Sequence, residues 1–262
     1  MAHRHQLFQK NDRHYFARLM LFISLLFVFV ALLSLSQAIQ AQTCKLPEDA
    51  ASDYDFDMAT DAFGPNPDAP TDYYKMAVNW SGDFCSGISA QIESESNSPK
   101  SDHKKIAKLK KDNHFQCFSD QRFGWVLHGV WASSCAGKSL DQCTDLKEIN
   151  QHPRFCGGDL PALPYEQIKP YLCMSPSAAL LQAEWEKHGA CDFSSATDYF
   201  EKSRQLFSSL RYPESYLSEK KLDRWMKKYN PQLADKHLLY RGSEMYICYD
   251  TSFNVINCPK RD

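Results

Sequence analysis

Residues Phe123–Trp131 read FGWVLHGVW. A short apolar run of this kind, bounded by polar sequence, reads as a buried strand rather than as a helix. It is expected to be a central strand that ends near Gly129. A second run upstream, YYKMAVNW from Tyr73 to Trp80, is aromatic and β-prone and reads as a core strand. The chain closes on GSEMYICYDTSFNVINC, Gly242 to Cys258, which alternates like a hairpin and can be tied by Cys248 to Cys258. Helix signatures lie between the second and third of these strand regions. The first covers Ser175 to His188, with Ser175 as a cap, Pro176 suited to the first turn and Gly189 to the stop. Another covers about Ala196 to Leu210, with Phe200, Phe207 and Leu210 spaced for one face. The last covers Ser218 to Tyr229, with Leu222, Trp225, Met226 and Tyr229 at helical offsets. Strands and helices are segregated rather than alternating, and no internal repeat is present. This pattern predicts an α+β domain built on an antiparallel sheet flanked by helices.

Outward from these elements the sequence becomes polar. Residues 93–112 read as a polar loop carrying Lys100, Lys104, Lys105, Lys108, Lys110 and Lys111, a candidate electrostatic guide for a polyanion. Residues 133–173 are loop-rich and hold Cys135, Cys143, Cys156 and Cys173. Residues 42–72 form an acidic segment in which Asp53, Asp55, Asp57 and Asp61 are broken up by prolines and Gly64. It reads as an extended surface stretch ahead of a domain spanning 73–262. At the N-terminus, Arg4, Lys10, Arg13 and Arg18 precede an apolar run from Leu19 to Leu35, with small residues at Ser36, Ala38 and Ala41. That is the layout of a secretory leader over residues 1–41, cleaved after Ala38 or Ala41, which places the mature chain in a periplasm or outside the cell.

Cysteine usage agrees with export. All ten cysteines follow the leader, and an even number in an oxidising compartment reads as a disulfide framework. No CxxC pair occurs, so the spacing does not match a structural zinc site. The formal net charge of −2 means that no global basic field marks the chain as a nucleic-acid binder; positive charge at a site would have to be local.

Two segments carry chemistry. In EWEKHGAC, Glu184, Lys187 and His188 are three and four residues apart and share a helix face. This groups an acid, a fixed cation and an imidazole. Glu184 and the helix C-terminus favour the charged imidazole, Lys187 opposes it, and the balance is expected to suit a general base. In LHGVW, His128 lies on a strand with Trp131 close by, a ring suited to stacking on a base. Each histidine alone reads as structural. Together they supply what phosphodiester cleavage in RNA requires: one base for the 2′-hydroxyl, one acid for the leaving oxygen, and charge for the phosphorane. No metal is needed.

LHGVW and EWEKHGAC, in this order, resemble the two active-site segments of the ribonuclease T2 family. The resemblance runs from Tyr73 to Pro259. It implies an α+β fold and an endoribonuclease acting on single-stranded RNA through a 2′,3′-cyclic phosphate to a 3′-phosphate. It also implies no cofactor, no metal, no DNA substrate, no membrane attachment after leader removal, and a monomer. By position it makes His188 the base and His128 the acid, with Glu184 and Lys187 stabilising the transition state and Trp131 holding a base. Three departures stand out. Ala183 occupies the place of a phosphate-contacting histidine, for which the lysines at 104–111 are a candidate substitute. Val130 and Ala132 replace the usual Leu and Pro. The resemblance further implies that Cys191 bridges to Cys143 or Cys156. Rival readings are a cysteine hydrolase built on Cys191, a metal site built on Glu184 and His188, and a catalytically weak secreted binding protein on the same scaffold.

Overall fold

The computed structural model describes residues 44–49, 53–145 and 149–261; the leader lies outside them. Among the described residues no helix is long and apolar enough to cross a membrane. Strand β1 (Tyr73–Trp80) is buried along nearly its whole length because it pairs on both sides. It runs antiparallel to β2 (Trp125–Ser133) on one edge and to β5 (Glu244–Tyr249) on the other. β4 (Leu239–Arg241) and β6 (Val255–Ile256) both pair antiparallel with β5, while β3 (Thr144–Asp145) and β7 (Lys260–Arg261) form a separate parallel pair.

The expectation of a central strand at Phe123–Trp131 needs correcting. β2 is an edge strand that continues to Ser133. Its helix-facing side chains are apolar because helices cover that face. An edge strand must find partners for its outward backbone groups. Here the Tyr199 hydroxyl binds both the N–H and the C=O of Val130, at 3.1 and 3.2 Å, and the Leu127 N–H donates to the Met174 carbonyl at 2.9 Å.

Among the described residues the α-helices are α1 (Ser81–Ser96), α2 (His103–Asp112), α3 (Tyr165–Ile168), α4 (Ala178–Lys187), α5 (Ala196–Ser208) and α6 (Glu219–Tyr229). One sheet face, through Met76, Val78, Leu127, Val130 and Ile247, packs on Leu181, Trp185, Phe200 and Met226 of these helices. Each such fully buried side chain contributes about 1.5–3 kcal/mol. The opposite face carries a smaller cluster of Tyr73, Ala77, Tyr246 and Cys248, with Trp131 beside it. Among its described residues the acidic segment is irregular, with a short 3-10 turn at Met58–Thr60 and further turns at 62–63 and 67–68.

The lysine-rich stretch is largely helical rather than a loop. It comprises the end of α1, a short connection over 97–102 that holds Lys100, and all of α2, with the Asp102 carboxylate accepting from the amides of Lys104 and Lys105, and Lys105 reaching back to Glu95 at 2.7 Å. Its lysines hid a helical stripe of Ile106 and Leu109. The start of α4 also shifts: the Ser177 hydroxyl accepts from the Leu180 amide, and Ser175 and Pro176 stand outside the helix.

No cysteine is free. Bridges join Cys85 to Cys117, Cys135 to Cys143, Cys156 to Cys191, and Cys248 to Cys258. Cys191 is therefore no nucleophile, and of its two candidate partners it takes Cys156.

Candidate active site

A bulge in β2 builds the first half of the site. Ala77 faces Gly129 and Val78 faces Leu127, so His128 is the extra residue with no partner on β1. In a regular strand, residues three apart point to opposite faces. The bulge shifts the alternation by one. Leu127 and Val130 both enter the helix-side core, and His128 joins Trp131 on the open face.

Helix α4 supplies the second half. Glu184 is buried against β2, where its Oε2 accepts from the Trp131 indole Nε1 at 2.7 Å and its Oε1 lies 3.5 Å from His128 Nε2. This closeness depends on Gly129. A Cβ there would stand 1.8 Å from Glu184 Oε2 and 2.8 Å from Trp131 Nε1, so nothing larger than glycine fits. His188 is the residue that ends the helix. Its ring lies 5.6 Å from Trp131, and the His128 ring lies edge-on to the same indole at 5.1 Å. The two histidines thus flank one tryptophan.

The electrostatic surroundings of the two imidazoles differ. Burial opposes charge on His128, but its Nδ1 lies 2.6 Å from Glu244 Oε1, and Glu244 and Glu184 together outweigh burial and raise its pKa. Burial raises the Glu244 carboxyl, yet the bonds from His128 and from the Tyr246 hydroxyl hold it below its ordinary value. Burial pushes the Glu184 carboxyl up, partly offset by His128, Trp131 and Lys187. His188 is driven well below the ordinary imidazole value, first by burial and then by Arg154, Lys187, His128 and His152. The expectation that Glu184 would favour a charged His188 is corrected: Glu184 is engaged with Trp131 and His128, while cations surround His188. The buried Nδ1 of His188 has no hydrogen-bond partner among the described residues.

These groups line a cavity of about 300 Å³. It brings together the five residues of the two chemistry-bearing segments: His128, Trp131, Glu184, Lys187 and His188. Sequence reasoning missed Glu244, Lys75, Arg241, His152 and Arg154, which also line it. Pairing across the sheet signals the first three, since Lys75 lies opposite Trp131 and Glu244 sits on the neighbouring strand beside β4. His152 and Arg154 are held against the end of α4 by the Cys156–Cys191 bridge and by the Phe155 amide, which donates to the Lys187 carbonyl at 3.1 Å. The α2 lysines are not among the residues lining this cavity. Lys108 instead borders a neighbouring cavity of about 450 Å³, onto which Ala183 and His128 also open.

The Ribonuclease T2 family pattern matches residues 71–235. The chain belongs to the ribonuclease T2 family. It is an RNA-cleaving enzyme. It is 40% identical over 213 residues to a "Probable ribonuclease" of Haemophilus influenzae, covering 81% of this chain and 70% of that protein. It is 29% identical over 147 residues to a "Ribonuclease" of Aeromonas hydrophila, covering 53% of this chain and 45% of that one. Among solved structures it is similar to an RNase-related protein from Calystegia sepium, at 16% identity and a TM-score of 0.45, over 73% of this chain and 92% of the other.

Proposed function

We propose that this enzyme is an exported endoribonuclease that cuts single-stranded RNA without a metal, by acid–base catalysis between His188 and His128. The supporting observation is the opposed displacement of two imidazoles that face one cavity: the pKa of His188 is driven well below the ordinary imidazole value and that of His128 is raised above it. A base must start neutral and an acid must start protonated. His188 takes the proton of the ribose 2′-hydroxyl, and that oxygen attacks phosphorus. The His128 imidazolium protonates the departing 5′-oxygen, leaving a 2′,3′-cyclic phosphate. In the second step the roles exchange. Neutral His128 takes a proton from water, whose oxygen attacks phosphorus, and His188 returns its proton to the 2′-oxygen, giving a 3′-phosphate.

Glu244 and Glu184 orient His128 and support its charge. Trp131 holds Glu184 in place and presents its ring to the nucleotide. Lys187 stabilises the charge on the phosphorane. DNA lacks the nucleophile and is not a substrate. The leader over residues 1–41 and the disulfides fit a periplasmic or extracellular monomer, free of the membrane once the leader is removed.

The test uses purified mature protein, RNA and EDTA. Cyclic-phosphate products should form, and His128→Ala or His188→Ala should each lower kcat by about 10²–10⁴. Near-normal activity in either variant would refute the mechanism.

A further inference from the structure

The acidic stretch ahead of the domain reaches the active site. Asp61, on this stretch, bridges two cations of the cavity wall. Its Oδ1 lies 2.8 Å from an Arg154 guanidinium nitrogen, and its Oδ2 lies 3.1 Å from Lys187 Nζ. The Phe63 amide donates to Oδ1 at 2.9 Å, completing the carboxylate's partners. The Phe56 ring lies 4.0 Å from Lys187 Nζ, on the same stretch of chain. Asn66 then exchanges backbone bonds with Arg154 at 3.0 and 3.1 Å, locking the segment to the loop that carries the arginine. Arg154 itself is 4% exposed, so the guanidinium is fixed rather than free to swing.

We propose that Asp61, Arg154 and Lys187 act as one unit, in which Asp61 positions the two cations at the cavity wall on the His188 side and they hold the phosphate undergoing cleavage there. This rests on the reading of the cavity as an RNA-cleaving site. One carboxylate leaves a net positive charge beside His188, as a transferring phosphoryl group requires. It also gives the site an anion contact independent of position 183, where Ala183 offers none. The groups facing His188 are His128 from β2, Glu184 and Lys187 from α4, His152 and Arg154 from the bridging loop, and Asp61 behind the two cations. Of these, Arg154 ranks first after burial in keeping the imidazole neutral.

The experiment compares wild type, Asp61→Asn, Arg154→Gln and Arg154→Lys, using kcat/KM across pH and inorganic phosphate as a competitive inhibitor. Thermal melts identify any variant that fails to fold. Asp61→Asn and Arg154→Gln should each weaken phosphate inhibition and lower kcat/KM by about tenfold to a hundredfold, the worth of a charge-assisted contact. Arg154→Gln should also move the acid limb of the pH profile upward, because removing the cation raises the pKa of His188. Arg154→Lys should return that limb towards wild type, which a purely structural role would not do. An Asp61→Asn enzyme more active than wild type would make Asp61 a blocker occupying the phosphate position and overturn the proposal. Unchanged phosphate inhibition in folded Asp61→Asn and Arg154→Gln would overturn it as well. If wild type itself cleaves no RNA, the underlying reading fails rather than this one.

Discussion

Gly129→Ala tests the construction of the site at its tightest point. The added methyl would stand 1.8 Å from Glu184 Oε2, short of the 3.4 Å of ordinary contact by about 1.6 Å. The carboxylate cannot retreat that far and keep its 2.7 Å bond to Trp131. Losing a buried charge-assisted hydrogen bond costs about 1.5–3 kcal/mol, and forcing an extra methyl into a filled core about 1–3 more. A loss of roughly 3–5 kcal/mol should lower Tm by about 10 °C or more in a domain of this size. The disulfides should keep the protein folded at room temperature. Displacing a catalytic group by more than 1 Å costs about 10²-fold in rate, so kcat should fall by about that factor below Tm. Gly87→Ala is the control, since a Cβ at that position in α1 meets nothing within 4 Å. Alanine there should be neutral or stabilising by about 0.5–1 kcal/mol. The reasoning is refuted if Gly129→Ala melts within a degree or two of wild type and cleaves RNA within threefold of its rate.

Other perturbations separate the remaining parts of the site. Glu244→Gln removes the charge that raises the pKa of His128. In the proposed mechanism His128, as the acid, then loses its proton at lower pH, so the basic limb of kcat against pH should move downward, with roughly a tenfold loss of kcat on the alkaline side; an unmoved limb would assign the acid elsewhere. Replacing Cys156 and Cys191 together with serine opens a loop of 35 residues and should cost about 3–4 kcal/mol, read as a Tm lower by roughly 10 °C. Because that bridge holds Arg154 and His152 against α4, KM for RNA should rise in the same variant, and a fall in Tm with no change in KM would separate the bridge from the site. Export with removal of the proposed leader predicts that N-terminal sequencing of the mature protein begins at Ile39 or Gln42.

The acidic segment illustrates how local sequence can mislead about function. Read by composition, 42–72 is a solvated stretch, and carboxylates near a polyanion site look unfavourable. In the structure the Asp61 side chain is largely covered between two cations, and against the effect of burial its pKa is reduced by the bond from the Phe63 amide and then by Lys187 and Arg154. The lysines of α2 show the converse. They look like a phosphate guide in sequence, yet the cations around His188 come from elsewhere: Lys187 from its own helix, and Arg154 from a loop tied in by a backbone bond and a disulfide.

Local pattern determined much of this protein by itself. Tyr73–Trp80 and Phe123–Trp131 are apolar enough to specify strands, and the periodic apolar residues within 196–210 and 218–229 specify helices, because burial on one face is a short-range demand of the chain. The pair of segments LHGVW and EWEKHGAC was enough to point to two histidines, an acid and a lysine. Only the tertiary structure decided which face His128 occupies, because that depends on a register shift against β1, which is set by pairing and leaves no mark in β2 alone. It also decided in which direction the pKa of each imidazole is displaced. Burial and the charges around each imidazole come from residues far away in sequence, Glu244 for His128 and Arg154 for His188, and electrostatic surroundings of that kind exist only once the chain has closed on itself.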